Sequence, residues 1–166
     1  MRKADQQPLY EQAKLKRLSC IEGTFNSNVN GNQIYTCQWP PVQSPRALVF
    51  IAHGFGEHIG RYARHVERFT SRGIMVMGND HQGHGRSKGD RGDIALFSTY
   101  AKDLVQFIET TVSTHKDTPV FIWGVGMGGA IAINIARFQL FDVRGCLFCG
   151  PLVMPDPRAS TYFKRY

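Results

Sequence analysis

The sequence predicts an α/β fold, a mostly parallel sheet entered through an antiparallel hairpin. Three observations carry this. The runs Ala47-Leu48-Val49-Phe50-Ile51-Ala52, Ile74-Met75-Val76-Met77 and Val120-Phe121-Ile122-Trp123 are continuously apolar, as parallel strands covered on both faces must be, and residues 143–149 are similar. Segments with apolar residues at helical spacing separate these runs. Upstream, two β-prone runs, residues 19–25 and 34–39, flank the hairpin-turn pair Asn30-Gly31.

In chain order, residues 1–17 form a polar leader whose start has no apolar stretch and does not read as a secretory signal. The hairpin follows, and Pro40 and Pro41 stop its second strand. After the strand at 47–52, Tyr62, Val66 and Phe69 recur at i, i+4, i+7, with Gly73 placed to close that helix. The strand at 74–77 leads to a stripe of Leu104, Phe107, Ile108 and Val112, for which Ser98 or Thr99 is the expected N-cap. The strand at 120–123, a glycine-rich turn and the buried helix 130–138 come next, and the strand at 143–149 is last. The order β-β-β-α-β-α-β-α-β places the hairpin at one edge of an α/β sheet.

A chain of 166 residues suffices for one domain with a sizeable core. No apolar run nears the roughly 18 residues that span a bilayer. The expectation is a cytoplasmic protein, at most attached to a membrane surface. A formal charge of +7 would suit an acidic partner or an anionic membrane face. The cations gather at the ends, however: Arg2, Lys3, Lys14, Lys16 and Arg17 in the leader, and Arg158, Lys164 and Arg165 near the carboxyl terminus. They do not lie along one helix with interleaved aromatics, so no nucleic-acid partner is expected. Cys146-Leu147-Phe148-Cys149 has redox or zinc spacing, but on a strand i and i+3 face opposite ways. Cys20 and Cys37 make no second such motif. Core filling is the expected role of the cysteines.

The chemistry turns on Gly124-Val125-Gly126-Met127-Gly128-Gly129. Gly124, Gly126 and Gly129 spell G-x-G-x-x-G between a strand and a helix, the dinucleotide-binding pattern. The same turn also fits a nucleophile elbow, G-x-S-x-G, with Gly124 and Gly128 as its flanking glycines and Gly126 where the serine should stand. A dinucleotide site wants a carboxylate at the end of the next strand, and Cys149-Gly150-Pro151 offers none. His53-Gly54-Phe55-Gly56 follows the 47–52 strand where an α/β-hydrolase keeps its oxyanion loop. The Phe55 N–H and the Met127 N–H are the expected pair of oxyanion donors.

Gly85-Arg86-Ser87-Lys88-Gly89 spells G-x-S-x-G literally, but neither a strand precedes it directly nor an apolar helix follows. Ser87 is expected to hydrogen-bond within its loop. Asp80, His81 and His84 are read the same way, and neither a metal site nor a cofactor is expected.

On these residues the chain resembles the monoacylglycerol lipases and related lysophospholipases of the α/β-hydrolase superfamily. The resemblance runs through 53–62 (H-G-F-G-E-H-I-G-R-Y), 80–89, 124–132 and Gly150-Pro151-Leu152-Val153. It implies a serine hydrolase of monoacylglycerol esters, acting by a Ser-Asp-His triad met in that order, with a helical cap after the sixth strand that contacts membranes. It also implies residues 18–151 as the amino-terminal part of the hydrolase core, 152–166 as the start of the cap, and a fold cut short after about the sixth strand. Two departures matter. The family's G-H-S-M-G-G is here G-V-G-M-G-G, so Gly126 stands for the serine nucleophile. The strands that would carry the triad's Asp and His are absent. Three readings result: a catalytically incompetent hydrolase portion, a lipid-binding pseudoenzyme, or a dinucleotide-binding protein. Ending after residues 143–149 would also leave that apolar strand as a sheet edge prone to self-association.

Overall fold

A computed structural model describes residues 20–93 and 96–153. The leader 1–17 and all but the first two residues of 152–166 lie outside them. Six strands form one sheet in the order β1-β2-β4-β3-β5-β6. The strands are β1 (Ile21–Asn26), β2 (Gln33–Trp39), β3 (Ala47–Ala52), β4 (Ile74–Asn79), β5 (Val120–Val125) and β6 (Gly145–Cys149). β1 and β2 pair antiparallel with each other, and β2 pairs antiparallel with β4. β4, β3, β5 and β6 run parallel. Three helices connect them: α1 (Ala63–Thr70), entered through a 3₁₀ turn at Ile59–Tyr62, α2 (Phe97–Val112) and α3 (Met127–Arg137). This is the expected element order.

The hairpin turns where Asn30-Gly31 placed it. Gly31 has φ +77°, and Ser27 and Asn32 close the loop with a 2.8 Å backbone bond. The apolar strands are apolar because both faces are covered. Leu48, Phe50, Met75, Met77 and Ile122 pack under α2 and α3, while Val49, Ile51 and Val76 pack under α1 with Tyr62 and Val66.

Three expectations need correction. α2 begins one residue before Ser98, with Leu96 at its N-cap and no side-chain cap, because Phe97 turns its ring onto the core. Cys20 and Cys37 are joined in a disulfide: the hairpin register pairs Cys37 with Glu22, so Cys20 lies diagonally across from it with the Cα atoms 5.6 Å apart. Cys149 is exposed and accepts a hydrogen bond from Trp123 Nε1 at 3.3 Å, whereas Cys146 packs against the core. The reason is position: β6 lies at the margin of the described sheet, so both its faces are only partly covered, and Leu147 and Phe148 are exposed.

Candidate active site

Three loops meet at the carboxyl ends of β3, β4 and β5, the end where parallel α/β sheets hold their ligands. The glycine turn is the tightest of them. A Cβ on Gly128 would stand 1.8 Å from the Ala52 carbonyl oxygen, and one on Gly124 would stand 2.6 Å from the Gly128 carbonyl oxygen. Both clashes are with backbone, so bare glycines let α3 press against β3 and β5. Gly126 differs. Its φ/ψ of +54°/−116° is a strained conformation for a residue with a side chain, yet a Cβ there would meet nothing nearer than Gly54 Cα at 3.8 Å. The position has an elbow's backbone and open space for a side chain. Its N–H donates to Cys149 O at 3.0 Å, and its carbonyl accepts from Gly129 and Leu152 at 3.0 and 2.9 Å.

The loop after β3 lies against this turn. His81 N–H donates to His53 Nε2 at 2.9 Å, which leaves the proton on Nδ1 to donate to Gly54 O at 2.8 Å. His53 is therefore the neutral Nδ1–H tautomer, and burial lowers its pKa to about 4. Gly54 N–H donates to Glu57 Oε2 at 3.1 Å, and Tyr62 Oη donates to the same oxygen at 2.6 Å. Burial alone would raise the Glu57 carboxyl; Tyr62, the Gly54 N–H and Arg61 outweigh it and hold it below the usual range. The Phe55 and Met127 N–H groups donate to no acceptor among the described residues. Phe55 itself is half-exposed, with its ring edge-on to His84 at 5.3 Å.

The loop after β4 is a scaffold. Asp80 is buried and accepts from the Ile59 and Arg86 N–H groups at 2.7 and 2.8 Å, tying the 3₁₀ turn to the loop. Ser87 Oγ donates to Asp80 O at 2.6 Å and accepts from Tyr35 N–H at 2.9 Å, so its hydroxyl is committed in both directions, as expected for a loop serine. The His81 ring lies 4.1 Å from that of His53, and burial pushes its pKa well down. Among the described residues, no three His, Cys, Asp or Glu side chains converge as metal ligands.

The structure thus brings His53, Gly54, Phe55 and Gly56 to the turn that holds Gly124, Gly126, Met127 and Gly128. Sequence reasoning missed the clamp of Glu57 on Gly54 and Tyr62, whose spacing is legible only once the 3₁₀ turn is known. It also missed Asp103, which accepts from Ser27 Oγ and, at 2.8 Å, from Gln82 Nε2, joining the hairpin turn to the β4 loop through contacts distant in sequence.

Residues 43–165 match the family model described as serine aminopeptidase, S33. The chain belongs to this family. Within it, the chain is 35% identical over 137 residues to the monoglyceride lipase of Homo sapiens, covering 82% of this chain and 45% of that protein. It is 46% identical over 129 residues to a monoglyceride lipase homolog of Monkeypox virus, covering 78% and 47%. A thermostable carboxyl esterase from Bacillus coagulans, solved in complex with glycerol, superposes with a TM-score of 0.77 at 30% identity, over 88% of this chain and 48% of the other. The chain spans about half the length of the curated relatives it matches. The fold is therefore that of an α/β-hydrolase of the monoglyceride-lipase kind, and the resemblance read from the motifs is correct.

Proposed function

We propose that this chain is the amino-terminal portion of a monoacylglycerol-lipase-type hydrolase in which glycine replaces the nucleophile, and that alone it hydrolyses no ester. The supporting observation is Gly126: an elbow backbone, beside the HGFG loop, with no side chain to attack a carbonyl. Loss of the serine alone costs about 10⁶ in rate in a comparable triad enzyme. Ser87 does not substitute, because both its hydrogen-bonding directions are filled. On this reading residues 18–151 are core, residues 152–166 open a cap, and Phe55 and Met127 supply the oxyanion donors. The ligand class is a monoacylglycerol or similar lipid ester, with a cytoplasmic or membrane-surface location and no nucleic acid. Among the described residues no helix is long and apolar enough to cross a membrane.

A fluorophosphonate probe tests the proposal on the purified chain: no labelling is expected, and a labelled serine would overturn it. A second reading, a lipid-binding pseudoenzyme, is favoured by the two unengaged N–H groups beside open space at Gly126. A rise in melting temperature with long-chain monoacylglycerol is its signature. The dinucleotide reading keeps only its glycine spacing, and quenching of intrinsic fluorescence by NADH at micromolar levels would revive it.

A further inference from the structure

The outer face of α1 carries a row of cations for which the site above has no use. Arg61, Arg64, Arg68 and Arg72 recur at intervals of three and four, the spacing that puts side chains on one helical face, and all four are exposed. The row runs roughly 16 Å from the 3₁₀ turn to the end of the helix. The charge is therefore not confined to the chain ends: the fold also gathers a cationic face mid-chain, without aromatics interleaved on it. Little negative charge answers it. Glu57 reaches Arg61 at 3.3 Å but is turned inward onto Gly54 and Tyr62. Glu67 is the only carboxylate on α1, and Arg64, Arg68 and Arg72 form no ion pair among the described residues. Their bonds are local, Arg64 Nε to His65 and Arg72 Nη1 to the Arg68 carbonyl.

On the same side of the sheet an apolar strip borders the row. Phe69 stacks on the Trp123 indole at 5.6 Å, and the His65 ring lies 6.3 Å from it. Leu147 stands opposite Trp123 on β6 and is 43% exposed.

We propose that this face is a docking surface for the anionic phospholipid headgroups of a bilayer, with Trp123 and Leu147 meeting the interfacial zone beside the arginines. Guanidinium groups bind phosphate in a bidentate fork, an arginine row is drawn to a negatively charged leaflet, and tryptophan favours the headgroup level. Nucleic acid is also a polyanion, but a single strand would want aromatic platforms that the outer face of α1 lacks, and a duplex would gain nothing from the apolar flank of Trp123 and Leu147. The proposal rests on the lipid reading above in one respect: a ligand that partitions into bilayers must be met at their surface.

Flotation of the full chain on a density gradient tests this, because aggregates do not float. With vesicles of phosphatidylcholine mixed with phosphatidylserine the chain rises; with phosphatidylcholine alone it does not. The pair Arg64→Gln and Arg68→Gln lowers the partition coefficient roughly tenfold or more. Lys102→Gln with Lys116→Gln removes the same charge from exposed positions elsewhere and changes it little. If the first pair melts early, Arg72→Gln alone gives the same readout at a severalfold loss. Equal losses in both pairs, indifference to phosphatidylserine, or preferential capture of duplex DNA would overturn the proposal. The vesicles contain no monoacylglycerol, so this outcome is independent of the thermal-shift test of the glycine turn.

Discussion

Gly124, Gly126 and Gly128 look alike in the sequence and behave differently in the fold. At 124 and 128 glycine is demanded by backbone 2.6 and 1.8 Å from where a Cβ would sit. Gly128→Ala is expected to cost about 3 kcal/mol in chemical denaturation, because a carbonyl of β3 has to move. Gly126→Ala has space at 3.8 Å and is charged only with its backbone conformation, about 1–2 kcal/mol. Equal costs at the two positions would contradict this geometry. The buried histidines set a second expectation. Above the unfolded value near 6.5 His53 is neutral in both states and stability is full. As pH falls from 6.5 towards 4 the unfolded chain binds a proton that folded His53 refuses, so stability drops, by at most about 1.4 kcal/mol per pH unit for each such group. His81, shifted further down, extends the loss. Glu57 acts lower, because its stabilisation is kept above its ordinary 4.5 and lost only as pH falls beneath that. Denaturation midpoints that stay flat between about pH 6.5 and 5 would refute the histidine assignment.

Among the elements, the hairpin and β6 carry the sharpest expectations. The Cys20–Cys37 bond closes a separation of 17 residues, and in the chain-entropy model such a loop is worth about 3 kcal/mol. Adding dithiothreitol should lower the unfolding free energy by up to that amount, read from chemical denaturation; an unchanged midpoint would mean that the hairpin ladder holds by itself. β6 offers an unpaired margin among the described strands, with Leu147 and Phe148 exposed. Such margins pair with other chains. Self-association of the purified chain is therefore expected in analytical ultracentrifugation, and Leu147→Lys should shift it towards monomer. A wild-type chain that sediments as a monomer at all concentrations would remove this expectation.

For the molecule as a whole, the described sheet brings three loops together at the carboxyl ends of β3, β4 and β5. The 53–56 loop, the glycine turn and the β4 loop converge, but His53 holds its proton on Gly54 and Ser87 is committed to its own loop. Gly126→Ser would fill the elbow without providing a base. The variant is expected to fold, and its fluorophosphonate labelling is expected to stay at background. Labelling would show that a base is recruited from elsewhere in the chain.

Much of this was legible in the sequence because its signals are local. Unbroken apolar runs fix strands buried on both faces, Asn30-Gly31 fixes the hairpin turn, and the glycine run fixes a tight strand-to-helix turn. Contacts between distant segments were not legible. The Cys20–Cys37 pairing depends on the hairpin register, which sets Cys37 opposite Glu22 and diagonal to Cys20. The arginine row depends on a 3₁₀ turn running on into α1, and the Glu57 clamp depends on the same turn. The sequence by itself determined which elements form and that position 126 carries no side chain. Only the tertiary structure decided which glycines are forced, which histidine nitrogen bears the proton and which face collects the charge, because each depends on atoms brought together across the sheet.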